Sequence, residues 1–171
     1  MTQPTDQPTT EQQRRVQRGG RTTLETRKQI RGQVVTATAA RMVVQFRGTA
    51  DLDEQITQLG PDVQPYLVFT VAHAKVLSDV ALVVFVDTPD ADAQTPVTSK
   101  GFAGSVAFFE HDGHGQAPFR VPLNAALRRI GARQNDLTAT FAPVALPGRS
   151  RGRDSLTINA VLHLTRSKVE R

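Results

Sequence analysis

Along this 171-residue chain, apolar side chains more often recur at every second position than at every third or fourth, which is the period of a strand with one face buried. From Val34 to Phe46, Ala40, Met42, Val44 and Phe46 share one side while Arg41 and Gln45 share the other, predicting a half-buried strand. Leu67, Phe69 and Val71 define a second strand over Tyr66–Lys75. In Val76–Val86 the chain is apolar on both sides from Val80 onward, as expected of a central strand held between two layers. Further strands follow at Phe102–His111, Phe119–Val121 and Leu137–Val144. A separate final strand has the cleanest alternation, with Leu156, Ile158, Ala160, Leu162 and Leu164 opposite Thr157, Asn159, His163 and Thr165.

Helical spacing is confined to two short segments. Asp51 and Glu54 have the spacing of a capping box, Leu52, Ile56 and Leu59 lie on one helical face, and Gly60-Pro61 stops the helix. Leu123, Ala126, Leu127 and Ile130 follow at i, i+3, i+4 and i+7, with Gly131 placed to close the turn. Between the strands, DTPDADAQTPVTSKG (87–101) is predicted to be an exposed loop, because proline cannot serve a ladder and the aspartates have no partners nearby in sequence. LPGRSRGRDS is predicted to be a flexible connection. The fold class that follows is all-β: an antiparallel β-sandwich of about seven strands with one or two short helices.

Composition narrows the chemistry. With 39% hydrophobic and 22% charged residues, the chain suits one domain, and a domain of this size buries roughly 70% of its unfolded surface without needing a metal or disulfide. Cysteine is absent, which excludes disulfides, thiolate metal sites and thiol catalysis. No run reaches the ~18 apolar residues of a membrane span, and residues 1–33 hold no stretch resembling a signal peptide, so a cytoplasmic location is expected.

The net charge of +5 is unevenly placed. Residues 1–32 carry seven Lys/Arg against three Asp/Glu, residues 149–171 carry six against two, and the stretch between them carries eight against eleven. Residues 1–20 are polar and aperiodic, too poor in apolar area to offset the entropy of ordering. The expected organisation is a disordered basic tail over 1–32, a sandwich over 33–165 and a basic C-terminal tail over 166–171. A nucleic-acid-binding fold would interleave basic residues with stacking aromatics, whereas one Tyr and no Trp are present, so nucleic acid is not the expected partner. Contact of the basic tails with a polyanion is the alternative to simple solvation.

Of the four histidines, His111 and His114 fall in the turn HDGHG and are, with Asp112, the candidate metal ligands. A structural site needs about four ligands and a catalytic one about three, and His73 and His163 are distant in sequence. Asp87, Asp90 and Asp92 imitate part of a calcium loop, but Pro89 breaks the spacing and no bidentate Glu follows. No nucleophile elbow, Walker motif or dinucleotide glycine pattern occurs. The expected protein has no catalytic constellation and no cofactor of its own.

Three segments taken in order carry a family resemblance: ALVVFVDTPDADAQTPVTSKGFAGSVAFFEHDG (81–113), FRVPLNAALRRIGA (119–132), and LTATFAPVALPGR with LTINAVLHL (137–164). Together they resemble the C-terminal β-sandwich domain of tyrosinases and plant polyphenol oxidases. The shared features are the strand Val83–Val86, the acidic loop Asp87–Lys100, the Phe-Ala-Gly-Ser start at Phe102–Ser105, the helix Leu123–Ala132 and the closing strands of Leu137–Leu164. The departures are Ile130 where the family has leucine before the glycine, and the basic insert Arg149–Arg153. The resemblance covers residues 66–164. It implies a non-catalytic domain, because type-3 copper oxidases hold two copper ions with six histidines in a separate helical domain. The implied role is accessory: shielding, assembling or stabilising a phenol or catechol oxidase domain in another chain, which would hold the copper. In some such relatives the sandwich places a bulky side chain in the catalytic entrance; Phe119 is the nearest candidate for such a plug, with core packing as its other reading, and Asp87, Asp90 and Asp92 are candidates for docking. A stand-alone module gripping a polyanion with its basic ends is the rival reading, and a mononuclear metalloenzyme built on His111 and His114 is a third.

Overall fold

The computed structural model describes residues 22–72, 80–107, 118–148 and 157–169. The fold is an all-β sandwich with nine strands among the described residues. They are β1 (Thr22–Arg31), β2 (Gln33–Ala37), β3 (Met42–Phe46), β4 (Val63–Ala72), β5 (Val80–Val86), β6 (Phe102–Ala107), β7 (Phe119–Pro122), β8 (Leu137–Ala145) and β9 (Thr157–Val169). Two helices, α1 (Leu52–Leu59) and α2 (Asn124–Ile130), complete it. One sheet has the order β1-β9-β4-β7 and the other β2-β3-β8-β5-β6, every pairing antiparallel.

Alternation sets the core. The inner positions of β4 and β9 bury Leu67, Phe69, Val71, Ile158, Ala160, Leu162 and Leu164 against Met42, Val44, Phe46, Leu82, Val84, Val86 and Phe141 from the facing sheet. Phe69 meets Phe141 edge-on across the interface, with ring centroids 4.9 Å apart. The helices close one end of the sandwich, each connecting strands of opposite sheets and sending Leu52 or Ala126 and Leu127 into the core. Gly131 ends α2 with φ 78°, a conformation in which a side chain is strained, and its N–H reaches the Leu127 carbonyl at 3.1 Å.

Several expectations are corrected. Residues 22–31, assigned to the disordered tail, form β1, and the C-terminal tail continues β9 to Val169. β1 is polar because it is an edge strand, held to β9 by backbone pairing from Thr22↔Val169 to Arg31↔Val161 with only Ile30 packed on the core. Residues 1–20 lie outside the described residues. The single strand read over Val34–Phe46 is a hairpin, β2 and β3, whose turn is closed by the Thr38 N–H on the Arg41 carbonyl at 2.9 Å. The capping box at Asp51 is not formed: its carboxylate instead accepts from Gln55 Nε2 at 2.6 Å, which also reaches the Gly48 carbonyl at 2.6 Å.

The loop 87–101 is a covering layer, not a solvated excursion. It lies over the outer face of the five-stranded sheet, where Val83, Phe85, Ala91 and Ala142 form a second small core with Phe102 and Val144 against it. This is why β5 is apolar on both faces. Thr140 Oγ1 donates to the Thr88 carbonyl at 2.9 Å, and Arg41 Nε donates to the Ala91 carbonyl at 2.8 Å, pinning the loop from beneath. Threonine hydroxyls and a guanidinium thus supply the partners that the loop backbone lacks as a ladder.

Candidate functional site

Loop 87–101 covers one outer face, and among the described residues the other, that of β1-β9-β4-β7, stays open. The register builds it in rungs. Arg31, Val161, Val68 and Arg120 stand side by side on one rung; Gln29, His163, Tyr66 and Pro122 stand on the next; Thr26, Thr165 and Gln64 follow. Residues directly opposite in antiparallel strands share a face, so these side chains point together away from the core. Tyr66, Val68, Val161 and His163 are half-buried, while Arg31, Gln29, Arg120 and Pro122 at the rims are exposed. The face therefore has an apolar and aromatic floor with a guanidinium at either edge.

The Arg120 guanidinium lies 5.4 Å from the centroid of the Tyr66 ring, a cation–π contact that holds it over the floor. His163 Nδ1 is 3.5 Å from Thr26 Oγ1, at the outer limit of hydrogen bonding. Burial, and secondarily the nearby Arg120 charge, hold the His163 imidazole below its ordinary pKa of 6.5, because both disfavour the cation. On the third rung, Thr165 is 1% exposed and its hydroxyl has no hydrogen-bond partner among the described residues. No acidic side chain stands on any rung of the face.

The residues singled out from sequence are placed elsewhere. Asp87, at φ 50°, forms a bidentate ion pair with Arg133, whose side chain is 5% exposed, and Asp87 Oδ1 also accepts from the Thr138 N–H at 3.1 Å. The same guanidinium donates to the carbonyls of Thr49 and Asn135, both at 3.2 Å. Asp92 accepts from the Gln94 N–H at 2.8 Å and faces Arg41 at 3.5 Å. These carboxylates fasten the loop to the sandwich; Asp90 alone of the three is exposed. Phe119 is half-buried and stacks on Phe69, with centroids 5.4 Å apart, as an extension of the core. His111 and His114 lie outside the described residues, as does His73. Among the described residues no three or more His, Asp or Glu side chains gather as a metal site. No described helix is long and apolar enough to cross a membrane.

A shallow groove of about 400 Å³ lies between α1 and α2, lined in part by Asp53, Ile56, Leu127 and Arg128. The open face escapes sequence reading because its members come from four strands distant along the chain. The available signal was the polar, acid-free side of β9. Compared with known proteins, the sequence matches no family model and no curated protein.

Proposed function

We propose that this protein is a non-catalytic accessory sandwich that shields, assembles or stabilises the catalytic domain of a type-3 copper phenol or catechol oxidase carried by another chain. One observation carries the reading. The described parts of the segments on which the resemblance rests fall on packed elements: Val83–Val86 on β5, Phe102–Ser105 opening β6, Leu123–Ala132 spanning α2 and its glycine stop, Leu137–Ala145 as β8 and residues 157–164 on β9. The acidic loop between β5 and β6 is anchored by Arg133, the residue directly after the helix-closing Ile130-Gly131-Ala132. Sequence features that resemble one family's order thus form one structural unit, which is the property expected of a shared domain.

The test mixes the purified protein with a type-3 copper oxidase domain stripped of its own sandwich. Co-elution on size exclusion and an altered rate of catechol oxidation are expected, with no turnover above free copper for this protein alone. Independent elution, or saturable catechol turnover by the isolated protein, would overturn the reading.

The rival polyanion-binding module gains one observation: β1 pairs with β9, so the basic residues of the two chain ends, Arg27, Lys28 and Arg31 with Arg166 and Lys168, occupy neighbouring strands. Removing residues 1–32 would delete β1, so charge reversal at Arg166 and Lys168 is the better probe. Under the rival reading it would abolish salt-dependent heparin binding; under the accessory reading there is no such binding to lose.

A further inference from the structure

We infer that the open face of β1-β9-β4-β7 is a docking surface for an acidic protein segment, one that carries two carboxylates flanking an apolar or aromatic side chain. Arg31 and Arg120 stand on the same rung at the two edge strands, three inter-strand steps apart, which places their Cα atoms about 14 Å from each other. Between them lie Val161 and Val68, with Tyr66 and His163 on the adjoining rung. An extended segment projects every second side chain to one side, so positions i and i+4 are about 13 Å apart and position i+2 points the same way. A Glu-x-Phe-x-Glu pattern laid across the strands therefore sets a carboxylate near each guanidinium and the ring on the valine floor.

Charge favours this occupant. Every charged side chain on the face is basic, and neither Arg31 nor Arg120 has a carboxylate partner among the described residues, whereas Arg27, Arg41 and Arg133 are each paired with an acid. The buried Thr165 hydroxyl on the third rung is a further polar group without a hydrogen-bond partner among the described residues. Single-stranded nucleic acid is the less suitable occupant, because sheet surfaces that bind it stack successive bases on two or three free aromatic rings, and among the described residues this face offers Tyr66, already beneath Arg120, and the half-buried imidazole of His163. The inference rests on the accessory reading only for the identity of the partner; the surface and its ligand chemistry stand on the face.

The experiment titrates the full ¹⁵N-labelled protein with the capped peptide Glu-Thr-Phe-Thr-Glu and follows amide shifts, using Lys-Thr-Phe-Thr-Lys as the charge control. Expected are saturating shifts centred on Tyr66, Val68, Val161 and His163. Affinity should fall about threefold in Arg31→Gln or Arg120→Gln and about tenfold in the double variant, in line with exposed charge contacts. Absence of shifts at millimolar peptide, equal binding of the lysine control, or unchanged affinity in the double variant would overturn the proposal. Tighter binding of oligothymidylate at the same amides would also overturn it, reassigning the face to nucleic acid. Failure of the peptide with intact oxidase co-elution removes the face and spares the accessory reading; the converse removes that reading and spares the face.

Discussion

Replacing Arg133 by methionine should be among the most costly changes to a charged residue in this protein. The guanidinium is 5% exposed and engages Asp87 through two nitrogens while donating to the Thr49 and Asn135 carbonyls. Methionine fills much of the volume but leaves the Asp87 carboxylate without its counter-charge and two carbonyls without donors. Breaking a buried pair from one side costs roughly 3–5 kcal/mol. Because Asp87 retains 22% side-chain exposure, water relieves part of that penalty, and the low end, about 3 kcal/mol, is the expected loss. For a chain of this size that corresponds to a fall in Tm of about 6–12 °C. Urea unfolding measures it, with an unchanged m-value indicating that stability alone has moved. Asp87→Asn, which tolerates the left-handed backbone at φ 50° and keeps an acceptor for the Thr138 N–H, should cost about 1–2 kcal/mol. Combined, the two should couple by at least ~1 kcal/mol, since the second substitution removes the charge stranded by the first. A loss below ~1 kcal/mol for Arg133→Met, together with simple additivity within ~0.5 kcal/mol, would refute the claim that this pair holds the loop to the sandwich.

Three further outcomes follow from the packing and the charge. Phe141→Ala empties the contact with Phe69 at the centre of the core and should destabilise by about 3–5 kcal/mol, read by the same urea titration. Gly101→Ala places a methyl against Thr88 Oγ1 and the Val86 backbone carbonyl, and should cost about 1–3 kcal/mol and raise amide exchange in residues 87–101 before the rest of the sandwich. For His163 the folded pKa is depressed, so the unfolded chain takes up the proton first as pH falls. Its penalty is absent above the ordinary value of 6.5, grows as pH drops through it, and levels off below the folded value. Unfolding at pH 7.5 and 5.5 should therefore show wild type losing more stability than His163→Gln; equal losses would remove the histidine from the account.

Much of the architecture is legible in the chain, and the reasons it is legible also mark where reading stops. Strands β3 to β9 and both helices are visible because burial marks neighbouring residues: one buried face imposes a period of two or near four, and two buried faces give the continuous apolar run of β5. β1 is not visible: an edge strand satisfied by backbone pairing to β9 needs only Ile30 from its own sequence. The break between β2 and β3 is hidden for a similar reason, since Thr38 and Arg41 make the turn with backbone and hydroxyl hydrogen bonds that no glycine or proline announces.

By itself the sequence determines an all-β chain free of thiols, with one strand apolar on both sides and basic ends, because composition and periodicity are local properties. Only the tertiary structure decides what those ends and loops become. It sets the two basic ends side by side as β1 and β9, and it turns the acidic loop into the second layer that β5 requires. It also gathers Arg31, Tyr66, Arg120 and His163 from four separate strands onto one open face. Partners drawn from separate strands leave no periodic mark on the chain; what brings them together is strand register, and register is a property of the folded sheet.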